Sequence, residues 1–416
     1  VGVLGLGYVG LPLAVELATN GTRVVGFDTD NVIVSSLIQG RSHIPDVRQS
    51  KLQAALGRRL HVTADAQALS VCTCFIICVP TPLSADGGAD TSNIEDAVAA
   101  ITPHLRRGSV VILESTSYPG TTEEVVAKPL ADATGLDSRR DFCVAFSPER
   151  IDPGNSDFKI ATTPKIVSGL HDCCVDRVRG LYEIVCRDVV VAKSLRDAEF
   201  AKLLENTYRQ VNIALVNEMV KFTGALGVDL LEAIRLAATK PFGFHAFYPG
   251  PGIGGHCIPI DPNYLSHRIR THLGQPFRFI ELAQEINDSM PLYVARRAQE
   301  VLNHEGKAVK GANVLLLGVT YKANIADQRE SPAKDVARSL EDMGAKLSFH
   351  DPYVAQWPVN GQTYQSQDRL KEAAESSDLI VLLQAHREYL EFEHWPNSPP
   401  ILDTRGVLAT PSALSL

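Results

Sequence analysis

The chain has 416 residues, 45% of them hydrophobic and 21% charged, with a formal net charge of −8 at pH 7. That length exceeds one ordinary core and predicts two or three domains, and the composition excludes a disordered or fibrous protein. The negative balance argues against a nucleic-acid partner, whose phosphates demand a concentrated excess of Lys and Arg. The longest apolar runs, such as "CFIICV" and "SVVIL", fall far short of a bilayer span, so no membrane partner is expected.

Val1 stands inside an apolar, strand-like run with no signal-peptide pattern before it, and a cytoplasmic protein is expected. The stretches "VGVLGLG", "TRVVGFD", "CTCFIICVP", "SVVILEST" and "FCVAFSPER" then read as strands separated by helical patterns. This alternation is that of βαβ units and a parallel sheet covered by helices. From Lys193 the apolar positions take helical spacing for more than thirty residues without a Pro, which predicts one long helix. A Gly- and Pro-rich loop at 241–262 follows, then more helix to about Glu305, then strands in "ANVLLLGVTYK", "AKLSFHDPY", "SDLIVLLQAH" and "PPILDTRG". The second half thus repeats the order of the first. The expected architecture is α/β: two Rossmann-like doubly wound domains, 1–192 and 306–416, joined by a helical domain, 193–305, with a long central helix.

The eight cysteines form none of the paired CxxC spacings of zinc sites, and no metal is expected. "VCTCFIICV" reads as a buried strand, which makes Cys72, Cys74 and Cys78 packing residues.

"GLGYVG" places Gly5, Gly7 and Gly10 in G-x-G-x-x-G spacing between an apolar run and a helical one, with Tyr8 and Val9 inside the turn. Such a turn lets a pyrophosphate approach backbone N–H groups at a helix N-terminus. The next strand ends in Asp28, eighteen residues after Gly10, where an acid accepts hydrogen bonds from ribose hydroxyls and repels a 2′-phosphate. NAD is therefore expected over NADP. Val79, Pro80 and Thr81 of "CVPTP" and Ser115 and Thr116 of "EST" end later strands, where open α/β sheets line a ligand crevice; on spacing alone they also read as plain turns.

Lys202 and Asn206 lie four apart on the long helix, a pair that can hold an oxyanion or belong to a solvated face. Glu149 in "FSPER" follows a strand, as a general base or a surface acid. Cys257 in "GPGIGGHCIPID" reads, on residue type alone, as nucleophile, metal ligand or buried filler.

Read in order, GLGYVG, CVPTP, EST, SPER, "KLLENTYR", GPGIGGHCIPID and "GVTYKANIADQRES" resemble the UDP-glucose/GDP-mannose dehydrogenase family along nearly the whole chain. Within it, the stretch "TKPFGFHAFYPGPGIGGHCIPIDPNYL" is most similar to the UDP-N-acetylhexosamine 6-dehydrogenase branch; the UDP-glucose enzymes more often carry a Cys-Phe-x-Lys-Asp form. The resemblance implies oxidation of a nucleotide-diphosphate sugar at C6 from alcohol to carboxylate with two NAD, Cys257 being the nucleophile. It further implies that Glu149 assists a water, that Lys202 and Asn206 stabilise oxyanions, and that Asp261 orients water or Lys202. Arg329 would reach the nicotinamide nucleotide's phosphates. Arg150, Tyr248, Gly254, Tyr321 and Lys322 would bind the sugar nucleotide, with the C-terminal Rossmann-like domain holding it in place of a dinucleotide. Lys240 falls where the family supplies a basic residue across a dimer contact, and a homodimer through residues 196–222 is implied. His256 would help lower the Cys257 pKa as a cation or be structural. The rival class is a two-electron hydroxy-acid-type dehydrogenase, which shares a Rossmann domain and a Lys/Asn helix but needs no cysteine. An epimerase of the short-chain type is disfavoured, since no Tyr-x-x-x-Lys occurs.

Overall fold

The computed structural model describes residues 1–151, 158–395 and 399–416. The chain divides into two compact units, one made of Val1–Glu205 with Asn263–Gly274, the other of Asn206–Pro262 with Gln275–Leu416. The long helix, Leu195–Thr223, runs through both.

The first unit is built on an eight-stranded sheet. Its strands are β1 (Gly2–Leu4), β2 (Val24–Phe27), β3 (Leu60–Thr63), β4 (Cys74–Ile77), β5 (Val110–Leu113), β6 (Cys143–Phe146), β7 (Lys165–Gly169) and β8 (Val189–Val191), in the order β3-β2-β1-β4-β5-β6-β7-β8. The strand order reverses between β1 and β4, which opens the crevice that doubly wound sheets use for ligands. Helices cover both faces, so successive residues of one strand enter different cores. In β4, Ile76 packs with Val3, Ile112 and Ala145, whereas Phe75 and Ile77 pack with Leu4, Val111 and Val144. That double burial explains the unbroken apolar runs of the sequence. Cys72 and Cys78 are buried and Cys74 is half-buried. One pairing departs from the all-parallel expectation: β7 runs antiparallel to β6.

The second unit carries a five-stranded sheet, all parallel. Its strands are β9 (Asn313–Leu317) and β10 (Lys346–His350), then, beyond the hairpin β11 (Gln356–Val359) and β12 (Gln362–Gln365), β13 (Leu379–Leu382), β14 (Ile401–Asp403) and β15 (Ala413–Ser415). The order is β10-β9-β13-β14-β15, with the same reversal, now between β9 and β13. The hairpin turns on Asn360 and Gly361, at φ 47° and 76°, the pairing that a two-residue turn favours. No helix among the described residues is long and apolar enough to cross a membrane.

Candidate active site

In the first unit the glycine turn joins β1 to the helix Gly10–Thr19. Gly5 has φ +88°, and a Cβ there would stand 2.7 Å from the Cys78 carbonyl oxygen; one on Gly10 would stand 1.9 Å from the Gly5 carbonyl oxygen. Both positions therefore require glycine for close packing of turn, helix and β4. A Cβ on Gly7 would meet nothing within 4 Å, so that side of the turn is open to a ligand. Asp28, half-buried at the end of β2, accepts the Leu6 N–H at 2.7 Å and the Asp30 N–H at 2.9 Å. The carboxylate is thus fixed against the glycine turn, with lone pairs left over for hydroxyl donors.

The strand-end loops are tied to one another. The Thr81 hydroxyl donates to the Thr116 carbonyl and the Ser115 hydroxyl to the Val79 carbonyl, both at 2.7 Å. Asn93 Nδ2 donates to the Pro80 carbonyl at 2.9 Å. Gly5, Gly7, Asp28, Ile33, Val79 and Pro80 line one cleft of about 360 Å³, apolar on its Ile33 side and acidic at Asp28. These residues suit a dinucleotide: open backbone for phosphates, an acid for the ribose and apolar walls for a base.

A second cluster in the same unit surrounds Glu149, beside Val9 of the glycine turn. Burial raises the Glu149 pKa, against the attraction of Lys202 and Lys165, which lowers it. Lys202 itself is buried. Lys165 Nζ pairs with the buried carboxylate of Glu114 at 3.1 Å, and the fully buried Tyr182 hydroxyl also donates to Glu114. Lys165 and Tyr182 are not marked by any motif; the one local signal is a lysine opening an apolar strand, "KIVSG". Arg150 forms an ion pair with Glu205 at 2.6 Å and donates to the Pro164 carbonyl at 2.8 Å.

In the second unit, Asn206 Nδ2 donates to Asp261 Oδ2 at 2.6 Å, with both residues buried. Asp261 opens the helix Asp261–Leu273, and its N–H donates to the Cys257 carbonyl at 2.8 Å. Cys257 is exposed and sits in the turn that leads into that helix. The loop before it packs on the Tyr321–Pro332 segment. A Cβ on Gly254 would lie 2.5 Å from the Glu330 carbonyl oxygen, and one on Gly255, at φ +90°, would lie 2.7 Å from the Tyr321 ring. Arg329 is held by Asp327 through Nε at 2.9 Å and through a terminal nitrogen at 2.6 Å. His256 is exposed as a residue, yet burial of its ring and then the Arg329 charge lower its pKa. That direction works against a role for His256 as a cation beside the thiol. Lys322 is half-buried, Tyr248 is exposed, and Lys240 lies on an exposed stretch with its ammonium 4.8 Å from the Phe242 ring centroid.

The second sheet repeats the device of the first with one change. Gly318, at φ +75°, follows β9 as Gly5 follows β1, and Asp351 accepts the Val319 N–H at 2.7 Å as Asp28 accepts that of Leu6. Asp351, however, is buried and paired with the buried His386 at 3.1 Å. His386 Nδ1 accepts the Asn324 N–H at 2.8 Å, so Nε2 carries the proton and donates to Asp351. The acid that is open to a ribose in the first unit is closed by a histidine in the second.

A doubly wound sheet with a glycine turn, a turn-anchored acid and an open phosphate side defines a dinucleotide-binding unit of the NAD type. Residues 1–186 match the NAD binding domain of the UDP-glucose/GDP-mannose dehydrogenase family, 196–289 its central domain and 315–410 its UDP binding domain. The chain is 34% identical to the UDP-N-acetyl-D-mannosamine dehydrogenase of Methanocaldococcus jannaschii, over 98% of this chain and 92% of that one. It is 37% identical to the UDP-N-acetyl-D-glucosamine 6-dehydrogenase of Pseudomonas aeruginosa, over 85% and 83%. Among solved structures, a UDP-D-ManNAc dehydrogenase from Pyrococcus horikoshii superposes with a TM-score of 0.89 at 33% identity, covering 99% of this chain and 97% of that one. The chain belongs to the UDP-glucose/GDP-mannose dehydrogenase family, a family of NAD-dependent nucleotide-sugar dehydrogenases.

Proposed function

We propose that the protein oxidises C6 of a UDP-N-acetylhexosamine from alcohol to carboxylate in the cytoplasm, with two NAD per sugar and a covalent intermediate on Cys257. The observation that carries this reading is an exposed cysteine at a helix start, in a glycine loop packed on the Tyr321–Pro332 segment, beside the buried Asn206–Asp261 pair. The N-acetylhexosamine is supported by the names of the similar enzymes. None of the eight cysteines is in a disulfide, which suits a reducing compartment. On this reading residues 1–192 hold NAD, 306–416 hold the sugar nucleotide and 193–305 carry the cysteine loop.

NAD, when bound, accepts the hydride in each oxidation. The first oxidation removes a hydride from C6 and the hydroxyl proton, giving the aldehyde. The Cys257 thiolate adds to that carbon, and the Lys202 ammonium and the Asn206 amide, itself oriented by Asp261, hold the oxyanion. Loss of the second hydride leaves a thioester. Glu149 takes a proton from the attacking water, the C–S bond breaks, and the carboxylate is released. Arg329, Arg150, Lys240, Tyr248, Gly254, Tyr321 and Lys322 bind the phosphates and the sugar nucleotide. The assay that tests the reading is a panel of UDP-GlcNAc, UDP-ManNAc, UDP-GalNAc, UDP-glucose and dTDP-glucose with NAD. An N-acetylated UDP-sugar is expected to give the highest kcat/KM, and a preference for UDP-glucose would overturn the substrate assignment.

Asp28→Asn is expected to weaken NAD about 10- to 100-fold, in line with about 1.5–3 kcal/mol for hydrogen bonds to a charged group. It is also expected to bring NADP affinity closer to that of NAD, because the repulsion of a 2′-phosphate is removed. Titration of both cofactors checks this, and an unchanged ratio would place the ribose elsewhere.

The long helix supports a homodimer. Phe200, Leu204, Tyr208, Leu215, Met219 and Phe222 are each more than 40% exposed, and at about 100° per residue they fall within one arc of roughly 100°. Lys202 and Asn206 lie on the opposite side of the helix axis. An apolar stripe of this length suits an isologous contact with its own copy. Light scattering at micromolar concentration is expected to give twice the 45.2 kDa chain mass, and Leu204→Glu with Leu215→Glu is expected to return it to the single chain. A fully active monomer of the unaltered protein would refute the dimer.

A further inference from the structure

The sulfurs of Cys143, Cys173 and Cys174 lie within 4.8 Å of one another. Cys143 is the first residue of β6, which runs parallel to β5, so the group sits at the end of the sheet opposite the cofactor crevice. The other two are the second and third residues of the helix Asp172–Tyr182. The approach is built into the backbone: a Cβ on Gly169 would stand 2.8 Å from both the Cys174 Cβ and the Val175 nitrogen, so glycine is needed for the helix to start this close. The Leu170 N–H then donates to the Val144 carbonyl at 2.9 Å, which pins that loop to β6.

We propose that Cys143, Cys173 and Cys174 form a trithiol site for a thiophilic divalent cation of the zinc group, with water as the fourth ligand. Metal–sulfur bonds of about 2.3 Å in a tetrahedral centre require sulfurs about 3.8 Å apart, which the cluster reaches by a closure of about 1 Å or less. Cys143 and Cys174 are buried and Cys173 is exposed, so the site has two anchored ligands and one open side for entry and for the water. Three thiolates and a divalent cation leave one negative charge. The positive end of the helix faces that charge, and Arg177, one turn further on, acts on Cys143 in the same direction while donating to the Gly108 carbonyl at 2.9 Å. Binding of a cation to thiols releases protons, three per ion at most, so its affinity rises with pH.

The test is a Cd²⁺ titration of the reduced Cys257→Ala protein, which removes the other exposed thiol, with Zn²⁺ as competitor. One equivalent of Cd²⁺ is expected to produce a sulfur-to-cadmium charge-transfer band, to release protons and to be displaced by Zn²⁺. Adding Cys173→Ser, at an exposed position that leaves the core intact, is expected to weaken binding at least about 100-fold, and Cys173→Ser alone should leave NAD-dependent turnover unchanged. Absence of the band at one equivalent, or a band that survives Cys173→Ser, would reduce the cluster to ordinary packing.

Discussion

Replacing Cys257 with serine is expected to lower formation of the sugar acid by at least about 10³-fold while NAD affinity stays within about twofold of the unaltered protein. The reason is the order of events. The aldehyde has no good leaving hydride until a nucleophile has added to it, and a serine hydroxyl, un-ionised at neutral pH, adds far more slowly than a thiolate. On the proposed reading the glycine turn and Asp28 recognise NAD; they belong to the first unit and Cys257 to the second. The Asn206–Asp261 hydrogen bond and the Asp261 N–H bond to the residue 257 carbonyl do not involve the thiol, so the loop keeps its conformation in the variant. Product analysis and cofactor titration on one preparation check both halves. Acid formation near the unaltered rate would remove Cys257 from the reaction.

Glu149→Gln is expected to slow turnover about 10²- to 10⁴-fold, the range for loss of a general base, and to let a covalent intermediate accumulate. Incubated with substrate and NAD, the variant should gain the mass of the acyl sugar nucleotide, and the gain should vanish when Cys257 is also replaced. As the proposed general base, Glu149 would act only when ionised. Its pKa is raised by burial, so activity should fall, with decreasing pH, through a value above that of an ordinary glutamate. Lys202 and Lys165 pull that value down. Lys165→Met removes one of these attractions, and the acid limb of the kcat profile should move to higher pH; a limb that stays in place would sever Lys165 from the base.

The features legible in the sequence are those governed by short-range or periodic rules. The turn Gly5–Gly10 and the acid at Asp28 are spaced by the geometry of one βαβ unit. The helix Leu195–Thr223 announces itself by twenty-nine residues of unbroken helical period. Other features depend on residues far apart in sequence and could not be read. Nothing local marks Lys165, Glu114 and Tyr182 as one buried group, and the antiparallel join of β7 to β6 is a tertiary choice. The closing of Asp351 by His386 likewise appears only when β10 and the segment after β13 meet. Two signals were present and went unread: Asn360–Gly361 between alternating residues, which marks the β11–β12 hairpin, and adjacent Cys173 and Cys174 in a helix's first turn.

Four-electron chemistry carried by one cysteine is tested most directly by the stoichiometry of a complete reaction. Limiting UDP-N-acetylhexosamine is converted to completion with excess NAD, and NADH and sugar acid are both counted. Two NADH per acid, with no aldehyde released and neither product formed stoichiometrically by Cys257→Ser, is the predicted result. One NADH per sugar, with a carbonyl product and an undiminished yield from Cys257→Ser, would contradict it and return the protein to the two-electron dehydrogenases.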